Sequence, residues 1–110
     1  MFRRAIVCFS LAACSGGGGG SPTGIDISII ECPPDSPWTY ENYGQLEMQD
    51  NCLSCHAGNE SPQLTSVEQI RANKNAILRE AVASTAMPED TDMTLEERQT
   101  LGEWLACGAP

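Results

Sequence analysis

Cys52-Leu53-Ser54-Cys55-His56 is the stretch that decides how this chain is read. The C-x-x-C-H spacing sets two thiols one helical turn apart, where each can form a thioether to one edge of a porphyrin. An imidazole stands beside them, able to reach the iron. His56 is the single histidine of the sequence. Two other chemistries share part of the pattern. A zinc site needs four Cys, His or carboxylate ligands, and no second C-x-x-C or H-x-H pair accompanies this one. A thiol redox pair sits at the start of a helix that follows a strand, and no strand-like alternation precedes Cys52. Haem attachment is the reading that uses all three residues.

The chain ahead of the motif indicates export. Arg3 and Arg4 form a basic start, and Ala5 to Leu11 form an apolar run too short to span a bilayer. Leu11-Ala12-Ala13-Cys14 has the form of a bacterial lipoprotein cleavage box, so residues 1–13 read as a signal peptide and Cys14 as the acylated first residue of the mature chain. More than one acyl chain is needed for stable anchoring. The alternative is an ordinary cleaved signal with an incidental cysteine. Residues 14–30 include Gly16 to Gly20 and read as a flexible tether, which leaves 31–110 as the folded domain. Ser15 beside the acylated cysteine points to the outer membrane, facing the periplasm or the surface.

Of six cysteines, Cys8 leaves with the signal, Cys14 takes lipid, and Cys52 with Cys55 takes haem. Cys32 and Cys107 remain. In an oxidising compartment such a pair is expected to be bridged, worth on the order of 4 kcal/mol in the chain-entropy model. The alternatives are two free thiols or an intermolecular bridge. Cleavage of the signal also takes the six basic residues to four, against fifteen acidic ones, and moves the formal charge from −9 to −11. Nucleic acid is not an expected partner on these grounds. The acidic surface is either simply solvated or steers the protein toward a basic redox partner.

The pattern of apolar residues predicts an all-α domain. A first helix is expected with Ser36 as N-cap and Pro37 at its first position, continuing into the C-x-x-C-H motif with Tyr43, Leu46 and Leu53 on one face. A second runs from about Ser66 to Ala83, with Thr65-x-x-Glu68 as capping box and Ile70, Ile77, Leu78 and Ala81 buried. Thr94-x-x-Glu97 opens a third, where Leu101 and Leu105 stack, and Gly108 suits its C-cap. With few aromatics the domain has little core of its own, and a covalent haem would supply the missing apolar centre.

A haem that carries electrons with six ligands needs a soft group opposite the histidine, and a methionine there raises the potential. Met48 precedes Cys52 on the same predicted helix and lies on the histidine's side. Met87 stands in a downstream loop followed by Pro88, whose ring fixes the backbone after it. Met87 is therefore the expected sixth ligand, with Met93 in reserve.

Taken together, the C-x-x-C-H motif of Cys52 to His56, the Met87-Pro88 pair and the final helix resemble the class I cytochrome c family, in its small bacterial mono-haem members. The resemblance covers roughly residues 37–110. The family also places glycine eight residues before the first haem cysteine and a bulky apolar residue four before it; here those are Gly44 and Met48. In the family an aromatic of the C-terminal helix enters this notch, a role open here to Leu101 or Trp104. Glycine inside a helix costs about 0.5–1 kcal/mol relative to alanine, so Gly44 independently suggests a close approach. The stretch from His56 to Met87 is short beside larger members and implies an exposed haem edge. Arg71, Trp38 and Tyr40 are candidates to bind its propionates. The Cys32 and Cys107 pair is an addition to the family pattern.

The resemblance implies a small bundle of three to four helices around one covalently attached haem c. His56 and Met87 would ligate iron that cycles between Fe(II) and Fe(III), with no substrate transformed. Redox proteins and, through Cys14, a membrane are the expected partners. The alternative is a haem sensor or ligand-binding module with a labile sixth site, and a third reading is a thiol-disulfide protein without haem. Lack of a second histidine argues against ordinary peroxidase chemistry.

Overall fold

Thr39 begins the first helix because its extended backbone and hydroxyl satisfy a free helix end. Its Oγ1 accepts the Asn42 N–H at 3.1 Å, and the Asn42 Oδ1 accepts the Thr39 N–H at 2.8 Å. The expected cap, Ser36, is engaged elsewhere: its hydroxyl donates to the Glu103 carboxylate at 2.7 Å. The structure, a computed structural model, describes residues 24–58, 60–89 and 92–110. The expected signal segment, Cys14 and the glycine run lie outside the described residues.

From Thr39 a π-helical turn, Tyr40–Gly44, leads into α1 (Gln45–Asn51), and after a break at Cys52 the single turn α2 (Leu53–His56) follows. The wide opening turn shifts the helix register against a simple 3.6-residue pattern. Gly44 and Met48 therefore face the core, whereas Leu46, expected on one face with Tyr43 and Leu53, is 61% exposed.

The second helical region comprises α3 (Val67–Ala72), α4 (Lys74–Ile77) and a π-helical turn, Leu78–Val82. Its cap is Ser66, paired reciprocally with Gln69, one residue later than the expected Thr65 and Glu68. Asn73 interrupts it, with a side-chain amide that donates to the Gln69 carbonyl and competes with the backbone ladder. Ile70, Ile77 and Ala81 are buried as expected, Leu78 is only half-buried, and Val82 joins the buried set.

Helix α5 (Leu95–Ala106) opens on the Thr94–Glu97 capping box as expected. It ends with Gly108 at φ +92°, where the Ala109 N–H reaches the Trp104 carbonyl and the Gly108 N–H reaches that of Leu105. This paired closure of the last carbonyls needs the left-handed conformation that glycine adopts freely. Trp104, Leu101 and Leu105 of α5 meet Met48, Ile70 and Val82 in the core, all fully buried. Each such side chain contributes about 1.5–3 kcal/mol through burial.

The packed chain reaches further back than residue 31. The Ile25 N–H donates to the Val82 carbonyl at 2.6 Å, a 3-10 turn (Ile27–Ile29) is capped by Asp26, and Ile30 covers Gly102 of α5. The Ser28 N–H and hydroxyl both donate to the Asp26 carboxylate and hold it below the usual carboxylate range. Gly24 lies so close to the backbone of residues 82–84 that a Cβ would stand 2.6 Å from the Ser84 nitrogen. Cys32 and Cys107 form a disulfide, with Cα atoms 4.8 Å apart, which ties this segment to the end of α5. Among the described residues there is no strand, and no helix is long and apolar enough to cross a membrane.

Candidate haem-attachment site

One carbonyl organises the C-x-x-C-H turn. The Cys52 oxygen accepts the N–H groups of Cys55 at 3.2 Å and His56 at 3.0 Å, so the two cysteines and the histidine share a single helical turn. Cys52 is half-buried at the break between α1 and α2, Cys55 is buried, and His56 is half-buried at the end of α2.

The chain then doubles back. The Cys55 and His56 carbonyls accept from the N–H groups of Glu60 at 2.8 Å and Leu64 at 2.9 Å. This return brings the Pro62 carbonyl to 2.8 Å from the His56 Nδ1. A carbonyl only accepts, so Nδ1 carries a proton in this contact, and in the neutral imidazole the lone pair is then on Nε2. An imidazole fixed in this tautomer by a backbone acceptor is oriented and made more basic as a metal ligand. The Pro62 carbonyl is a functional group that the sequence reading missed; residue types alone do not reveal which backbone oxygen will meet a ring nitrogen.

The notch predicted at Gly44 is filled by Trp104. A Cβ added to Gly44 would overlap the indole, with Cε2 at 2.9 Å and other ring atoms nearer still. Tyr43 packs between Trp38, at 5.4 Å between ring centroids, and Trp104, at 5.7 Å in an edge-on arrangement. Burial pushes the Tyr43 hydroxyl far above its usual range, and the charge of Glu47 adds to the effect. That hydroxyl has no hydrogen-bond partner among the described residues. Glu47 is itself held above the ordinary carboxylate value by burial, against the opposing bond it accepts from Asn51 at 2.8 Å.

Met87 is half-buried and packs against the same core as Cys52 and Leu53. Its N–H donates to the Glu80 carbonyl at 3.0 Å and its carbonyl accepts from Arg98 at 2.7 Å. Met48 and Met93 are buried within the core. Arg71, a candidate propionate ligand, uses its Nε on the Ala109 carbonyl at 2.9 Å. The Tyr40 N–H and, at 3.4 Å, the Trp104 indole N–H both donate to the Pro110 carbonyl, closing the chain end over α1 and α5.

The residue set has the spacing of a covalent haem site, with two cysteines on one turn beside an imidazole whose Nδ1 faces the Pro62 carbonyl; Cys55 is disulfide-bonded in this structure, and its sulfur must be reduced before it can form a thioether. Among the described residues no three His, Cys, Asp or Glu side chains gather as ligands for a metal ion. Thioether attachment has no such requirement, since the sulfurs bond to carbon at the porphyrin edge. No protein-family model matches the chain, and no curated protein or solved structure matches it.

Proposed function

We propose that this protein is a mono-haem c-type electron carrier, exported and lipid-anchored through Cys14. The observation that carries the reading is the His56 Nδ1–Pro62 contact beneath a C-x-x-C-H turn, because with Nδ1 engaged Nε2 is the ring nitrogen left for a metal, beside the cysteines of that turn. A bound haem c would supply a one-electron Fe(II)/Fe(III) couple. Cys52 and Cys55 would hold it through thioethers, His56 through Nε2, and Met87 through its thioether sulfur. The Pro62 carbonyl keeps the imidazole in one tautomer, so no proton need move at His56 when the iron changes charge. Trp104 seated against Gly44 fixes α1, and with it the C-x-x-C-H turn, against α5. The chain transforms no substrate in this reading, and its strong net negative charge suits a basic redox partner.

The direct test is intact mass after expression alongside haem-maturation machinery in an exporting host. Wild type is expected to gain the mass of one haem that survives denaturation and acid extraction, and Cys52→Ala/Cys55→Ala is expected to gain none. A wild-type chain that stays free of covalent haem would overturn the proposal.

A further inference from the structure

Among the described residues Arg98 is the buried charge, only 3% exposed although it lies on α5 among acidic and amide neighbours in sequence. A charge taken out of water is tolerated when polar groups replace the lost hydration. Its Nη1 makes that replacement with three carbonyls: Ala81 at 2.6 Å, Met87 at 2.7 Å and Ser84 at 3.2 Å. Two hydrogens serve three acceptors, so the two short bonds dominate and Ser84 is the weaker third. Ala81 lies in the last helical turn before the Met87 loop, where carbonyls lack intrahelical donors. The guanidinium therefore fastens the end of that turn to the Met87 carbonyl.

The neighbouring backbone is braced at the same points. The Met87 N–H is bound to the Glu80 carbonyl, and the Ser84 hydroxyl donates to that carbonyl while accepting the Ala86 N–H. Burial lowers the pKa of Arg98 from its ordinary value, and the charges of Asp92 and Glu97 oppose that effect. Its Nε has no hydrogen-bond partner among the described residues. Among the described residues, the hydrogen bonds of this side chain thus go to the Met87 loop or the turn that leads into it.

We propose that Arg98 is a positioning residue for Met87: by holding the Met87 carbonyl against the end of the Leu78–Val82 turn, it sets how readily a small exogenous ligand displaces the methionine from the iron. This inference rests on the reading of Met87 as sixth ligand. Arg98 touches neither iron nor porphyrin in this role. It fixes the backbone from which the thioether extends, and a loop freed from it would let the sulfur leave more often.

The test is imidazole titration of the ferric, haem-loaded protein, followed optically, for wild type, Arg98→Met and Arg98→Lys, each also in a Met87→Ala background. Arg98→Met keeps the stem and removes the donors; it is expected to bind imidazole about tenfold more tightly than wild type, the scale of one charge-assisted hydrogen bond. Arg98→Lys should fall between the two, and it carries the test if Arg98→Met fails to fold by circular dichroism. In the Met87→Ala background the Arg98 substitutions should change imidazole affinity by less than about twofold, because no methionine remains to compete. An unchanged affinity in Arg98→Met and Arg98→Lys, or an equal change with and without Met87, overturns the inference while leaving the haem reading intact. A wild type without covalent haem overturns both.

Discussion

The two expected iron ligands are held by different means. His56 is fixed from within its own stretch of chain: the Cys52 carbonyl closes the turn, and the Pro62 carbonyl, six residues on, accepts the hydrogen bond from the ring. Met87 is fixed on one side by a local bond, to the Glu80 carbonyl seven residues back, and on the other by Arg98, which reaches it from α5. The histidine side can form as soon as its local loop forms, whereas the methionine side is complete only once α5 is docked. Short-range bonding makes the first region self-contained; the second adds a tertiary anchor, Arg98, to its local backbone bonds.

This contrast can be strained from its largest support downward. Replacing Cys32 and Cys107 by serine removes the tie at the end of α5, and stability to urea should fall by about 4 kcal/mol, as expected for closing a long loop. Hydrogen exchange should then increase more at the Met87 N–H, whose loop is anchored to α5 through Arg98, than at Leu64, whose bond to the His56 carbonyl is local. Equal increases would mean that the two regions are not held differently. Gly44→Ala drives a methyl group into the Trp104 indole, the joint between α1 and α5, and should cost about 1–3 kcal/mol by overpacking. Gly44→Ala/Trp104→Leu should recover part of that loss, and no recovery would place the strain elsewhere.

Thr94→Ala weakens α5 without touching Met87 directly, and thermal unfolding should show a loss of about 1 kcal/mol. The smallest effect concerns Glu47, whose carboxyl is held above its ordinary value of 4.5 chiefly by burial. A carboxyl with a raised folded pKa costs nothing below the unfolded value and destabilises progressively as pH rises through that value to the folded one. Glu47→Gln should therefore match wild type near or below about pH 4 and be the more stable protein at pH 7. Thermal denaturation across that range checks the sign, and a Glu47→Gln chain less stable at neutral pH would refute the burial argument.

What the sequence made legible follows the same division. The Thr94 cap, the Gly108 ending and the C-x-x-C-H turn each depend on a few adjacent residues, and each stands where the spacing put it. Gly44 was readable because a glycine within a helix asks for an explanation, and Trp104 supplies it. Ser36 failed as a cap because a long-range partner, Glu103, competes for its hydroxyl. The second helix began one residue late because Thr65-x-x-Glu68 and Ser66-x-x-Gln69 are equally good local signals, and the Gln69 side chain serves both N–H groups. Leu46 turned outward once a π-helical turn had shifted the register. Arg98 gave no signal at all: an arginine on a helix of acidic residues reads as surface, and only the fold brings three carbonyls to it.

The central claim is best tested by the optical spectrum of haem-loaded protein, oxidised and reduced, with Met87→Ala measured beside wild type. The account predicts a weak red charge-transfer band of methionine-ligated ferric haem in wild type, its loss in Met87→Ala, and carbon monoxide binding that is ready only in the reduced variant. A wild type that lacks the band and takes up carbon monoxide readily when reduced would contradict His56/Met87 ligation and, with it, the electron-carrier reading.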